Sequence, residues 1–310
     1  MLDLRDIGHR VVVRRFVREA KDGRPLFTDV IGELLEFGPD ELLVRSRDGA
    51  LHRIRRDDVA AAKRVPPWRP SPRGIREVER VAAEGWPAPD TAPLGDWLLR
   101  AAEGFSNRAN SALAVGDPGR SDAVDVVRAW YRDRGLVPRV TTPLPLSAAI
   151  ADALAAGGWT AQPTTLVMTA ALPLGEPDLP VQLDTAPGDA WLALAAARKN
   201  GLPAAAHHVL SAPPEVRFAA GYAEGPLVAI GRGVRTGRWL GVSLVEVVPE
   251  ARRQGWAQAV VRTLARWAAD SGATQSYLQV EESNAPAVAL YEGMGYRAHH
   301  TYVTWRDSAG

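Results

Sequence analysis

The first 66 positions are filled by short apolar runs broken by turn residues: HRVVVRRFV from His9, DVIGELLEF from Asp29, ELLVRSR from Glu41 and ALHRIRR from Ala50. Turn signals, GPD at Gly38 and RDG at Arg47, separate the last three. Alternating runs of this length closed by tight turns predict successive strands of a small all-β unit. The segment RDDVAAAKRV from Arg56 predicts a turn of helix before a last strand.

From Ala92 the pattern changes to strand, strand, helix, strand, helix, strand: DWLLRAA, NRANSALAV, SDAVDVVRAWYRDRG, PRVTTPL, LSAAIADALAAGGW and TTLVMTAAL. Val124, Val127 and Tyr131 recur at helical spacing on the first of these helices. Beyond Pro180 come a strand VQLDTA, helices through DAWLALAAARKNG and AAAHHVLS, and strands EVRFAAGYA, GPLVAIGRGVR and GRWLGVSLVEVV. Proline-rich stretches at Val65, Gly85 and Ala171 resist both helices and strand ladders and mark boundaries. The expected organisation is an all-β unit at 1–66, a Pro-rich linker at 67–91, an α/β unit at 92–174 and a second at 175–310.

An offset of 137 positions, set by Leu154 and Tyr291, lays the two α/β units over one another. Trp130 then meets Trp267, Gly135 meets Gly272, Gly158 meets Gly295 and Trp159 meets Tyr296. Register-locked matches of this kind point to a duplicated unit.

Composition narrows the classes. Of 310 residues, 46% are hydrophobic and 24% charged, which is ordinary for a globular chain and excludes disordered and collagen-like readings. A net charge of +1 demands neither nucleic acid nor an anionic membrane. The basic runs VVVRRFVR and RIRRDD are interleaved with acids and lack an aromatic stacking platform, which argues against nucleic acid. The absence of cysteine removes disulfides, thiolate metal sites and cysteine nucleophiles, so no metal is expected and a reducing cytoplasm is the simplest home. No export signal or membrane span is expected from the apolar pattern.

The stretch VEVVPEARRQGWAQAVVRTLARWA, from Val245, is a strand that turns at Pro249 and Glu250 and enters a helix through ARRQGWA. A helix start carries unpaired N–H groups and partial positive charge. Small residues at Gly255 and Ala257 let a phosphate approach, and Arg252 and Arg253 add cationic charge. Taken alone, the same loop reads equally as a solvated basic turn.

Downstream, TQSYLQVEESNAPAVALYEGMGY places a strand before Asn284, then a helix bearing Tyr291 and a turn at Gly295 and Tyr296. With both segments in view, the chain resembles the GNAT superfamily of acetyl-CoA-dependent N-acyltransferases. Arg252, Gly255 and Ala257 match the spacing of that superfamily's cofactor loop. Asn284, Ala287, Leu290, Tyr291, Gly295 and Tyr296 match its second motif. The resemblance is strong over 241–302 and degenerate over 92–172. It implies an α/β (α+β) fold with a mixed, mostly antiparallel sheet and flanking helices, here duplicated, and the leading unit resembles an SH3-like barrel.

The resemblance also implies roles. Acetyl-CoA is the cosubstrate and an amine the acceptor. Backbone groups of Val245, Glu246 and Val247 would hold the pantetheine arm, with the Val247 N–H as oxyanion donor. The pyrophosphate would rest on Arg253, Gln254, Gly255, Trp256, Ala257 and Gln258, beside Arg252. Tyr291 would protonate the departing thiolate. Asn284 is a helix cap in its own right, with a cofactor contact implied by the family.

The base that deprotonates the amine is less defined. Some protein-modifying members carry a glutamate where this chain has Gln279. Glu246, a carboxylate in an apolar strand expected to be covered on both faces, is the leading candidate, with a structural pairing to an arginine as the alternative. Glu281, Glu282, His207 and His208 are further candidates, each also explained as a surface residue.

In the first unit, Leu154 stands for Tyr291 and Ser147 for Asn284, and the strand-to-helix link VGDPGRSDA lacks the paired arginines. That copy is expected to be silent. Its SNRANS cluster, with Asn107, Arg108 and Asn110, reads either as a contact to a substrate carboxylate or as a capped turn. The overall expectation is an N-acetyltransferase working by direct attack in a ternary complex. The acceptor is open between a small amine and a protein lysine or N-terminus, the latter docked through the leading barrel. The competing class is a non-catalytic CoA-sensing or protein-interaction module.

Overall fold

A computed structural model describes residues 2–19, 24–46, 50–66, 68–197 and 202–308. The expected RDG turn and the end of the helix expected through DAWLALAAARKNG lie outside these. The chain divides into two compact units, 1–69 and 70–310.

In the first unit the strands are β1 (Arg10–Glu19), β2 (Pro25–Phe37), β3 (Glu41–Ser46), β4 (Leu51–Arg55) and β5 (Val59–Arg64). They form one sheet in the order β4-β3-β2-β1-β5 around a core of Val11, Val13, Leu34, Val44 and Ile54. A 3-10 turn at Arg56–Asp58 precedes β5, as the sequence suggests. The expected small all-β unit is present, and among the described residues no pairing of β4 with β5 joins the two ends of its five-stranded sheet.

The second unit begins with α1 (Pro72–Glu84), which lies inside the stretch expected to be a linker. Its prolines start the helix instead of excluding it: Ser71 caps it, accepting from the Gly74 N–H at 3.1 Å, and Pro72 takes the first helical position, where an N–H has no partner anyway. Ile75 and Val78 on its inner face are buried.

The remaining elements are β6 (Asp90–Leu94), β7 (Trp97–Ala101), β8 (Ala112–Leu113), α2 (Ala123–Arg132), β9 (Arg139–Leu144), α3 (Ala148–Ala156), β10 (Thr160–Ala161) and β11 (Thr165–Ala171), followed by β12 (Val181–Asp184), α4 (Asp189–Ala196), α5 (Ala204–Ser211), β13 (Val216–Tyr222), β14 (Leu227–Thr236), β15 (Trp239–Val247), α6 (Trp256–Asp270), β16 (Gln275–Glu281), α7 (Ala285–Gly293) and β17 (Arg297–Arg306). Strand β6 carries Pro93 and sits at the sheet edge, where a missing N–H costs no ladder bond. No helix among the described residues is long and apolar enough to cross a membrane.

One sheet runs through the whole unit in the order β12-β13-β14-β15-β16-β11-β17-β9-β8-β7-β6, with β10 paired to β17. The duplication is visible in this order. Strand β11, from the first copy, pairs with β16 of the second, and β17, from the second, pairs with β9 of the first. Thr165 lies opposite Tyr302 in the central β11–β17 ladder, and these two positions are separated by the same offset that aligns the copies. Each copy therefore lends its last strand to the other, and neither sheet half is complete alone.

Helices α6 and α7 cover one face, where Val260, Val261 and Leu264 of α6 join Leu278 of β16 and Tyr296 in one core, while Trp86, Trp191, Val209, Phe218 and Ile230 form the core on the other. Contact between α6 and β14 depends on missing side chains: a Cβ on Gly231 would stand 2.4 Å from Val260 Cγ1. Gly231→Val is therefore expected to destabilise the unit by about 2–4 kcal/mol through overpacking. The check is the midpoint of urea unfolding; an unchanged midpoint would show that α6 can shift at no cost.

Candidate active site

Strands β15 and β16 run parallel and in register from Trp239–Gln275 to Val242–Leu278, and then pairing stops. Two features turn β15 away. Its ladder with β14 slips between Ser243 and Glu246, and Leu244 there adopts φ 53°, the left-handed region that side chains other than glycine rarely enter. Meanwhile β16 stays bound to β11, with Gln279 opposite Val167 and Glu281 opposite Thr165. The two strands open as a V whose lips are 243–247 and 279–281.

Backbone polarity in the V follows from strand alternation. The Val248 N–H donates to the Val228 carbonyl at 2.9 Å. Successive N–H groups of a strand point to opposite sides, so that of Val247 points away from β14 and into the opening. Val245, Val247 and Val248 pack toward the α6 core.

At the tip of β15 a 3-10 turn, Pro249–Ala251, leads to α6. Arg253 (φ 61°) and Gly255 (φ 90°) are both left-handed, a conformation found in loops whose successive N–H groups bind anions. Gly255 caps α6 with no side-chain bond, and Ala259 is the first residue whose N–H reaches back to Gly255, at 3.0 Å. The N–H groups of Trp256, Ala257 and Gln258 therefore have no helical acceptor. Arg252, Arg253 and Gln254 are exposed. The Arg252 guanidinium is steadied by the Val247 carbonyl at 3.3 Å, and the Gln254 amide by the Glu250 carbonyl at 3.0 Å. The Trp256 indole is buried against Gly221, so only its backbone is available to a ligand.

Helix α7 carries the next group. Asn284 caps it by accepting from the Ala287 N–H at 3.3 Å, with Pro286 in the first turn. Tyr291 is half-buried and lies edge-on to Tyr296 at 5.9 Å. Tyr296 itself is tied to Ser276, whose hydroxyl lies 2.7 Å away. Burial, with a smaller contribution from the Glu246 carboxylate, pushes the Tyr291 phenol up to about 12. The influence of Glu246 places the two groups in one electrostatic environment although they lie on different elements.

The surroundings expected for Glu246 need correction. It is half-buried, not covered on both faces, because its strand has parted from β16. It stands across from Ile230, so its side chain belongs to the face of Trp86, Phe105 and Phe218, opposite α6. The other candidate bases fare differently. Glu281, Glu282, His207 and His208 are all exposed.

The SNRANS cluster divides. Asn110 is consumed by its own loop: its Oδ1 accepts from the Ala102 and Gly104 N–H groups at 2.9 and 3.0 Å, and its Nδ2 donates to the Phe105 and Ser106 carbonyls. Asn107 is exposed. Arg108 instead reaches β16 and donates to Gln279 Oε1 at 2.9 Å.

The equivalent junction of the first copy has different chemistry. Arg120 is neutralised by Asp122, which sits at the start of α2 with Asp125 one turn in, so carboxylates occupy the helix end that would attract an anion. Leu154 is buried in the local core and the Ser147 hydroxyl donates to the Ala114 carbonyl.

Sequence reading did not anticipate several buried polar groups. Arg232 on β14 donates to the carbonyls of Leu210, Gly85 and Val209. Glu79 of α1 meets His300 of β17 at 2.8 Å. Their partners are far along the chain, so no local spacing reveals them.

Residues 73–304 match the family described as "Probable histone acetyltransferase Rv0428c C-terminal", and residues 5–63 match "Rv0428c N-terminal Sm-like domain". The leading unit is thus Sm-like, correcting the SH3-like expectation; runs of short strands do not encode the order in which they pair. The chain is 30% identical over 303 residues to "Probable histone acetyltransferase Rv0428c" of Mycobacterium tuberculosis, covering 95% of this chain and 93% of that protein. It is 28% identical over 235 residues to "Uncharacterized N-acetyltransferase YobR" of Bacillus subtilis, covering 72% and 94%. In fold it is similar to a GCN5-related N-acetyltransferase from Kribbella flavida, with a TM-score of 0.60 at 16% identity over 76% of this chain and 96% of that one. A tandem GNAT protein from the clavulanic acid biosynthesis pathway gives a TM-score of 0.52 at 16% identity, covering 79% and 89%. Both the site and these likenesses lead to one assignment: the chain belongs to the Rv0428c family of GNAT N-acetyltransferases, with an Sm-like unit ahead of a duplicated GNAT fold.

Proposed function

We propose that this enzyme transfers an acetyl group from acetyl-CoA to a primary amine by direct attack within a ternary complex, using only the second copy. The observation that carries this reading is the V between β15 and β16. It opens beside an uncapped helix start with two left-handed loop residues, and Tyr291 stands on the adjacent helix.

The pyrophosphate fits on the N–H groups of Arg253, Gln254, Gly255, Trp256, Ala257 and Gln258, with Arg252 alongside. Gly255 suits the approach: a Cβ there would meet only Leu179, at 3.7 Å, so the loop is open on its outer side. The pantetheine amides pair with the freed edge of β15 at Val245 to Val247. The thioester supplies the electrophilic carbonyl, and the Val247 N–H is aimed where negative charge develops on its oxygen.

As the new C–N bond forms, the amine must shed a proton and the C–S bond must break. Glu246 takes the first proton, directly or through one water, and Tyr291 gives a proton to the departing sulfur. Its raised pKa keeps the phenol protonated at neutral pH. Asn284 fixes the start of α7 and so the height of Tyr291.

Titration calorimetry with acetyl-CoA, followed by thiol release across a panel of amines, tests the proposal; no acetyl-CoA binding would end it. Glu246→Gln is expected to lower kcat/KM at pH 7 by about a hundredfold, with partial recovery at high pH as more amine arrives unprotonated. An unchanged pH profile in the variant would remove Glu246 from the reaction.

A further inference from the structure

The opposite face of the V, away from α6, is unusually cationic for a buried region. Arg108, Arg232 and Arg100 all lie there, and none pairs with a carboxylate among the described residues. Arg232 spends its guanidinium on three main-chain carbonyls, and Arg100 donates to the Ser111 carbonyl and hydroxyl at 3.1 and 3.0 Å. Both are structural. Arg108 differs, because a single bond, from Nη1 to Gln279, leaves most of its five N–H donors unused.

Its position is fixed on both sides. The guanidinium lies 4.5 Å over the Trp86 ring, which is 3% exposed, stacked on Phe105, and held through its Nε1 by the Ser106 hydroxyl at 3.0 Å. Gln279 is the first residue of β16 beyond the last pairing with β15. Arg108 is therefore held at the lip of the V, on the face where Glu246 occupies the other lip.

Behind Arg108 lies a cavity of about 10 Å³ lined by Glu79, Arg100, Thr141, Gln279 and Tyr302, room for about one water. The Glu79 carboxylate, the one acid lining it among the described residues, is engaged by His300. Burial raises the phenols of Tyr277 and Tyr302, and in both the Arg108 cation is the chief opposing influence, which places its charge among these buried groups.

A held, half-buried cation with spare planar donors is a recognition element for a carboxylate, which two parallel N–H groups can grip. We infer that the acceptor is a small amino acid, whose carboxylate is bound by Arg108 on the β16 lip while its amine faces Glu246 and the thioester. This rests on the acetyltransferase reading above and adds to it the class of acceptor. It disfavours a lysine inside a protein chain, which presents no carboxylate at a fixed reach from its amine.

Matched acceptors test this on the full-length protein. Free amino acids, their carboxamides and lysine peptides with blocked termini are compared by thiol release from acetyl-CoA. Acetyl-CoA affinity is measured in parallel by calorimetry. At least one free amino acid is expected to exceed its carboxamide in kcat/KM by about tenfold to a hundredfold, the value of a charge-assisted hydrogen-bonded pair.

Arg108→Met is expected to abolish that preference through KM with acetyl-CoA affinity unchanged, and Arg108→Lys to restore part of it. The inference falls if amides or blocked peptides are acetylated as well as the free acids, if no free amino acid reacts although acetyl-CoA binds, or if the preference survives Arg108→Met. Failure of acetyl-CoA itself to bind would instead overturn the acetyltransferase reading on which the inference stands.

Discussion

Tyr291→Phe is expected to lower kcat by about a hundredfold to ten-thousandfold, the usual worth of a positioned general acid, with acetyl-CoA affinity unchanged. The ring is held by packing, edge-on to Tyr296, so Phe fills the same space and removes only the hydroxyl. What is lost is the proton that meets sulfur as the C–S bond breaks. Because burial carries the phenol to about 12, it stays protonated through the range in which the enzyme can be assayed, and deprotonation of Tyr291 should produce no alkaline limb below about pH 11. Single-turnover thiol release and calorimetry on both proteins separate the outcomes. A variant with full turnover would reduce Tyr291 to a packing residue, and a variant with weakened binding but normal chemistry would move its role to the cosubstrate.

A second large effect is expected from Ala257→Glu, with opposite signs on folding and binding. Position 257 lies in the first turn of α6, where an acid is favourable to the helix by about 0.3–1 kcal/mol, so stability should hold or rise. The same carboxylate would stand among the N–H groups proposed to cradle a pyrophosphate. Like charges a few Å apart near a protein surface repel by about 4 kcal/mol, so acetyl-CoA affinity should fall by at least about a hundredfold. Thermal unfolding paired with calorimetry reads both. Undiminished affinity would show that the cosubstrate phosphates lie elsewhere, and the conserved melting temperature would exclude misfolding as the cause of any loss.

The contrast between the two copies sharpens this expectation, since the first already contains the negative experiment. There Asp122 and Asp125 stand at the helix start, Arg120 is occupied by Asp122, and Leu154 replaces the phenol. That copy also contributes to the sheet: its β11 fills the place between β16 and β17.

How much of this was legible beforehand depended on sequence distance. The loop and helix start from Arg252 to Gln258 were readable because their parts are neighbours in the chain. The Asn284 cap and the spacing of Tyr291 on α7 are likewise local. The strands of the leading unit were readable from alternation, and the duplication from aligned aromatic and glycine positions. The prolines misled, because a proline that ends one element and a proline that begins a helix look alike until the cap at Ser71 is seen to bond.

Tertiary structure decided the rest. Glu246 seemed bound for a covered strand, and only the slipped β14–β15 ladder and the turn at Leu244 show it standing at an opening. Arg108 and Gln279 lie 171 residues apart and Glu79 and His300 lie 221 apart, and no spacing rule joins such pairs. The sequence by itself determined the family, the helix start at Gly255 and the capped helix that carries Tyr291, because hydrogen-bond geometry over a few residues follows from residue type. The opening between β15 and β16 and the side chains at its two lips were decided only by the assembled sheet, because an opening between strands is a property of the whole sheet's pairing and not of any one segment.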